Sequence, residues 1–128
     1  MKIMKLFFMS LFLAAVFVAC KKDNDNTPPP FAMEGLWEGK IGTGSVTPSG
    51  QYALKVKAGG VVERINSNGS VTASGSWQLN GNNFSATYNY SSGTIVNVTG
   101  NVDKGKNKMT ATWKNNGNEE GSLYVDKQ

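Results

Sequence analysis

The chain contains no histidine and only one cysteine, Cys20, among its 128 residues. A protein without histidine lacks the side chain that most often carries acid–base catalysis near neutral pH. A single cysteine excludes an internal disulfide and, without histidine, a Cys/His zinc site. These absences argue against an enzyme and against a metal or other cofactor, and we expect neither.

Charge of either sign is also scarce. The chain carries 13 basic and 9 acidic residues. Lys2 and Lys5 belong to the first segment, which leaves the remainder close to neutral. A weak charge spread along a chain does not favour a nucleic-acid partner. The acidic residues show no spacing that predicts two carboxylates across one cleft, and the serines lack an activating base.

The one long apolar run covers residues 6–19. It is shorter than the roughly 17–25 residues that a membrane-spanning helix needs. With basic residues ahead of it, the run is typical of a secretory signal peptide over residues 1–19. Its end, Val16-Phe17-Val18-Ala19-Cys20, resembles the lipobox of bacterial lipoproteins. That resemblance implies a lipid on Cys20 and attachment to a membrane.

The segment after the cysteine predicts a tether. Residues 21–30 contain no apolar side chain apart from three prolines, so they cannot bury enough surface to fold. We therefore assign residues 20–33 to the lipidated cysteine and a disordered tether. Lys21-Lys22-Asp23, with Asp25, resembles the export signal that lipoproteins of Bacteroidetes carry at this place. It implies the outer membrane and favours the cell surface over a periplasm-facing position.

Residues 34–128 show the alternation of strands that bury one face. Apolar and polar side chains alternate over residues 71–79, 84–90 and 108–114, and no helical periodicity is present. We expect eight strands, near residues 35–43, 50–57, 60–66, 71–79, 82–90, 93–102, 107–114 and 119–126. Asn80-Gly81 and Asn116-Gly117 predict hairpins with type I′ turns.

Short connections throughout favour one fold class. A meander of consecutive hairpins can close into a barrel, which removes its exposed edges. A Greek-key sandwich needs at least one long crossover, and the longest connection here, residues 44–50, is short. We therefore expect an all-β, antiparallel up-and-down barrel of eight strands, with a β-sandwich as the alternative.

Gly35-Leu36-Trp37 opens the first strand. A Gly-x-Trp at this place resembles the calycins, the superfamily of lipocalins, fatty-acid-binding proteins and avidins. The resemblance implies a lipocalin-like barrel in which Trp37 plugs the closed end. Lipocalins also carry a late arginine that packs over this tryptophan, and the nearest bases here are Lys114 and Lys127.

An eight-stranded barrel is just wide enough to be filled by side chains or to hold one small ligand. Small residues on the inward faces leave both outcomes open, although a filled interior is favoured. Tyr52, Trp77 and Tyr88 would form the polar lining of a cavity. Glu63 and Arg64 interrupt the apolar strand from 61 to 65, and we expect a solvated charge pair, with an inward Glu63 as the alternative.

Three functions fit these features. The first is an anchored, non-catalytic lipoprotein that holds a small apolar or amphipathic ligand in a lipocalin-like barrel. The second is a protein-interaction module, such as a hydrolase inhibitor or an accessory subunit of an envelope complex. The third is a carbohydrate-binding surface lipoprotein that stacks sugars on Tyr90, Tyr124 or a tryptophan.

Overall fold

A computed structural model describes residues 30–128. The signal segment, Cys20 and the tether up to residue 29 lie outside the described residues. Within the described part, no helix is long and apolar enough to cross a membrane. The eight strands are β1 (Gly35–Thr43), β2 (Gly50–Lys57), β3 (Val61–Ile65), β4 (Val71–Asn80), β5 (Asn83–Tyr90), β6 (Ile95–Asp103), β7 (Lys108–Asn115) and β8 (Glu120–Lys127).

These strands form one closed sheet. Each pairs antiparallel with the next, and β1 pairs with β8 from Trp37 opposite Lys127 to Thr43 opposite Gly121. The expected all-β, up-and-down, eight-stranded barrel is thus confirmed, and the sandwich alternative is excluded by the β1–β8 pairing. Closure pairs the backbone groups that β1 and β8 would otherwise expose at the sheet's edges.

Strand positions follow the sequence pattern closely. The bounds of β1 and β2 are those expected, and the other strands differ by one or two residues at either end. The largest difference is at β6, which begins two residues later than expected. β3 is one residue shorter at each end, where it meets a 3-10 turn at Ala58–Gly60 and a register shift between Arg64 and Ile65. Such a shift ends regular pairing and lets the chain leave the sheet early.

The predicted type I′ turns are wrong. In the β4–β5 hairpin Asn80 still pairs with Asn83, and only Gly81 has a positive φ, 63°. A positive φ at the first of two turn residues is typical of type II′. In the β7–β8 hairpin the left-handed residue is Asn118, with φ 65°.

That second hairpin shares its geometry with two others. Asn115 N–H donates to Glu119 O across a three-residue loop whose third residue is left-handed. The loops after β3 and β5 have the same form, with Gly69 and Gly93 at the left-handed position. A three-residue loop ending in a left-handed residue is the next most common hairpin after the two-residue turns.

The barrel has two distinct ends. The N-terminal end carries residues 31–34 and the turns β2–β3, β4–β5 and β6–β7. The loop end carries the connection of residues 44–49 and the loops β3–β4, β5–β6 and β7–β8. The polypeptide therefore joins the barrel at one end, and the longest connection lies at the other.

The interior is filled by one apolar cluster. Most side chains expected to face inward are buried, while Ile41, Trp77 and Leu79 are only partly so. The core also takes in side chains that the alternation did not single out: Met33, Val62 and Val102. The compact unit begins at Phe31, so the last three residues assigned to the tether belong structurally to the barrel.

Candidate functional site

Two of the three proposed lining residues meet inside the barrel. Tyr52 on β2 and Tyr88 on β5 are buried, and their hydroxyl oxygens lie 2.9 Å apart. Each lies opposite a glycine of a neighbouring strand, Gly39 for Tyr52 and Gly75 for Tyr88. A Cβ at Gly75 would lie 1.8 Å from the Thr87 carbonyl oxygen, so the close approach of β4 and β5 requires glycine there.

Arg64 covers this pair from the loop end. Its guanidinium carbon lies 4.3 Å from the centre of the Tyr52 ring, a cation–π arrangement. Its N–H groups donate to the carbonyl oxygens of Ala53, Ile65 and Gln51. Since the β2–β3 pairing ends at Ala53 opposite Ile65, the guanidinium replaces backbone partners where β3 leaves the sheet.

The expected charge pair between Glu63 and Arg64 is therefore not formed, and an inward Glu63 is likewise wrong. Val62 and Arg64 lie on the inner face of β3, whereas Glu63 faces outward and contacts Lys57 at 3.6 Å. Among residues 30–128, no carboxylate forms a salt bridge with Arg64. Its positive charge is balanced only by carbonyl dipoles and the Tyr52 ring.

Burial controls the ionisation of the two tyrosines. Removal from water raises the pKa of Tyr88 to about 12, partly offset by the hydrogen bond with Tyr52. Burial also raises the pKa of Tyr52 well above its usual value of about 10, and the neighbouring Tyr88 raises it further. Both hydroxyls therefore remain neutral at any physiological pH.

The cluster has more hydrogen-bond donors than acceptors. Tyr52 and Tyr88 share one hydrogen bond, so one of the two phenolic hydrogens finds no acceptor among residues 30–128. Arg64 contributes only donors. We call Tyr52, Arg64 and Tyr88 the tyrosine–arginine cluster. Chemically, it is complementary to a group that only accepts hydrogen bonds, such as a carboxylate.

Trp77, the third proposed lining residue, lies apart from this cluster. It sits next to Ser76, which pairs with Val61 at the N-terminal end of β3. Its indole N–H donates to the Lys57 carbonyl oxygen at 2.8 Å, and its ring stacks on Phe84. Tyr90 is the aromatic residue that joins Tyr88 instead, with ring centres 5.8 Å apart.

Trp37 lies at the N-terminal end, where the calycin resemblance places its plug. Its indole N–H donates to the Met33 carbonyl oxygen at 2.9 Å, and Phe31 packs edge-on against its ring. Of the two late bases, Lys127 is the one at this end. Its ammonium donates to the Ala32 carbonyl oxygen at 2.6 Å and lies over the Phe31 ring. Lys114 is directed to Glu120 near the loop end.

Open depressions lie on the outer wall of the barrel. One of about 770 Å³ crosses β6, β7 and β8 beside the loop at Gly44. A second of about 480 Å³ lies over β4 and β5, and a third of about 330 Å³ lies over β6 and β7. None of the three is lined by Tyr52 or Tyr88. At the level of these two residues the interior is occupied by their own rings.

One signal in the sequence pointed to Arg64. Arg64 stands at an inward-facing position of an apolar strand, and in a closed barrel such a charge must reach an end or be paired. The sequence contains no comparable signal for the contact between Tyr52 and Tyr88, because the two residues lie on non-adjacent strands.

No family model, no curated protein and no solved structure matches this chain. The closed eight-stranded meander is consistent with a lipocalin-like fold. Within residues 30–128, no group of three or more His, Cys, Asp or Glu side chains is placed to hold a metal ion.

Proposed function

We propose that this chain is a membrane-anchored, non-catalytic lipoprotein of the cell envelope, held at the outer membrane by lipid on Cys20. The lipobox resemblance at residues 16–20 supports the anchor. Acyl chains contribute about 0.8 kcal/mol per buried CH₂, and several chains on one cysteine make a lasting attachment. The polypeptide enters the barrel at Phe31, and the loop end is the opposite end of the barrel.

The barrel, on this proposal, binds a small amphipathic ligand at its loop end. The observation that carries the proposal is the excess of donors in the tyrosine–arginine cluster, with a guanidinium that no carboxylate balances within the described residues. A carboxylate would accept from the partly exposed guanidinium in a planar, charge-assisted contact. The head group of the ligand is therefore an acid.

Apolar side chains at the same end would contact the apolar part of the ligand. Val71 begins β4 and Ile95 begins β6, and both are exposed, as is Val46 in the first connection. Because aromatic rings fill the interior below the cluster, the apolar part of the ligand lies along this rim. The Arg64 side chain is only partly buried, so it can turn toward an incoming carboxylate without breaking the core.

Octanoate and 1-octanol make a suitable pair of probes, because they share a chain and differ in the head group. Native mass spectrometry of the lipidated chain in detergent would compare their affinities. Loss of a hydrogen bond to a charged group costs about 1.5–3 kcal/mol. We therefore expect Arg64→Met to weaken octanoate about tenfold to a hundredfold and to leave 1-octanol unchanged.

Lys55→Met is the matched control, since Lys55 is an exposed cation on the outer wall of β2. Equal octanoate affinity in wild type and Arg64→Met, or equal loss in both variants, would contradict the proposed site.

A second function is favoured by the same exposed rim. Val46, Val71 and Ile95 all lie at the loop end, where an envelope protein could dock in place of a small molecule. Crosslinking in intact cells, with a photoreactive residue at position 46, distinguishes the two. A discrete crosslinked protein supports the interaction module, and its absence together with octanoate binding supports the small-ligand carrier.

A further inference from the structure

One continuous part of the outer wall carries no charge. The sequence has no Asp, Glu, Lys or Arg between Arg64 and Asp103, a stretch that forms β4, β5 and nearly all of β6. Thr110 and Thr112 of β7 extend this surface, which ends at Lys108 and Lys114 on the same face of that strand. We call it the uncharged wall, formed by the outward side chains Thr72, Ser74, Ser76, Gln78, Ser85, Thr87, Asn89, Asn97, Thr99, Asn101, Thr110 and Thr112.

The opposite wall has the usual charged character. Glu38 and Lys40 of β1 and Lys55 of β2 are exposed, and Lys57 pairs with Glu63. A soluble domain ordinarily intersperses charges of both signs over its whole surface. The segregation of charge to one side therefore marks the other side as a distinct surface, with hydroxyl and amide groups in place of ions.

Two shallow, open depressions lie along the uncharged wall. The depression over β4 and β5 is lined by Gly59, Gly60, Ser76, Trp77, Gln78, Ser85, Ala86 and Thr87. The depression over β6 and β7 is lined by Thr99, Gly100, Asn101, Thr110, Ala111 and Thr112, and it shares Thr99 and Thr112 with the depression that crosses β6 to β8.

Most of its side chains form no hydrogen bond within residues 30–128, although the Thr72 hydroxyl donates to the Arg64 carbonyl oxygen. Thr87 Oγ1 donates to Asn97 Oδ1 at 2.7 Å, and no other outward side chain at the centre of the wall is bonded to another within residues 30–128. Each threonine hydroxyl both donates and accepts, as does each amide. A ligand bearing many neutral hydroxyl groups would match this pattern, with donors and acceptors on both sides of the contact.

Other classes of partner fit less well. Nucleic acid and acidic polymers bind through lysine and arginine, which this wall lacks. The centre of a protein interface is rich in exposed aromatic and other apolar residues, and here the hydroxyl and amide side chains predominate.

We propose that the uncharged wall binds a neutral polysaccharide chain lying across β4 to β7. Neighbouring strands lie about 4.8 Å apart, so the wall presents successive rows of hydroxyl and amide groups to an extended polymer. The site differs from the tyrosine–arginine cluster in both position and ligand chemistry, and it does not depend on that cluster.

Affinity electrophoresis of the lipidated chain in nonionic detergent tests this proposal. The gels would contain dextran, amylose, mannan or arabinoxylan as neutral polymers, and alginate or heparin as acidic ones. We expect at least one neutral polymer to retard the protein and neither acidic polymer to do so. Thr99→Lys and Thr112→Lys should each weaken that retardation at least tenfold, because a lysine fills the depression and brings an unpaired charge.

Gln51→Lys is the matched control, since it adds the same charge on the exposed face of β2 and should change the retardation less than twofold. Thr99→Ala keeps the wall neutral and removes one hydroxyl, so a loss of a few-fold is expected there. Retardation by none of the neutral polymers, stronger retardation by the acidic ones, or unchanged binding in both folded lysine variants would overturn the proposal.

Discussion

The hydroxyl oxygens of Tyr52 and Tyr88 lie 2.9 Å apart within the barrel, although the two residues stand on non-adjacent strands. A polar pair in an apolar interior is stable only while each hydroxyl has its partner. The same pair, together with Arg64, forms the proposed ligand site, so its contribution to stability and to binding must be measured separately.

The two single variants of the tyrosine pair should together lose more free energy of unfolding than the double variant loses. Tyr88→Phe leaves the buried Tyr52 hydroxyl without its partner, and we expect a loss of about 1–3 kcal/mol in the free energy of unfolding. The double variant with Tyr52→Phe removes both polar groups and should lose clearly less than the sum of the single variants. Urea unfolding followed by fluorescence measures all three, and strict additivity would contradict the coupling.

Stability should fall in alkaline solution because of the same two residues. The pKa of Tyr88 is raised to about 12 in the folded chain, whereas an unfolded tyrosine ionises near 10. Between these values the unfolded state has lost the proton that the folded state keeps, so the free energy of unfolding decreases as pH rises. Tyr52, whose pKa is also raised, adds to the decrease.

This contribution is fully present below about pH 10 and is lost progressively toward pH 12, at up to about 1.4 kcal/mol per pH unit for each tyrosine. Urea unfolding at pH 8 to 11.5 measures the slope. The double variant Tyr52→Phe with Tyr88→Phe should show a shallower decline than wild type. An identical decline in both would show that other groups cause it.

Trp37 and Trp77, whose indole N–H groups both donate to backbone carbonyl oxygens, should differ in their contribution to stability. Trp37 is fully buried, so Trp37→Phe leaves the Met33 carbonyl oxygen unpaired away from water and should cost about 1–3 kcal/mol. Trp77 is only partly buried and bonds the Lys57 carbonyl oxygen at an exposed position, where water can replace it. Trp77→Phe should therefore cost less, and thermal unfolding of both variants compares them. A larger loss for Trp77→Phe would contradict this assignment.

Membrane attachment should depend on Cys20 alone. Cys20→Ala removes the only thiol of the chain, and we expect both the incorporation of an alkyne-labelled fatty acid and the cleavage after residue 19 to be lost. Lys21→Ala serves as a control, because it leaves the cysteine in place and should keep the label. Labelling that persists in Cys20→Ala would contradict the lipoprotein assignment.

The strands were predictable because their signal is local. Alternation over β4, β5 and β7 set which side chains face inward, and the absence of a long crossover favoured the closed meander over a sandwich. Turn geometry was harder to predict from the sequence. Asn-Gly pairs indicated where the chain reverses, but the left-handed position fell on Gly81 in one hairpin and Asn118 in the other. Which residue takes the left-handed conformation depends on which two residues form the last backbone pair of the hairpin.

The composition and order of residues therefore determined the eight strands, the single cysteine available for a lipid and the lack of histidine chemistry. Tertiary structure decided what depends on register around the closed barrel. It turned Arg64 inward and Glu63 toward Lys57, brought Tyr52 to Tyr88 and left Trp77 near the other end. Sequence alternation predicts which face of the sheet each residue lies on. Only closure of the barrel between β1 and β8 determines its position along the barrel axis and its neighbours across the interior.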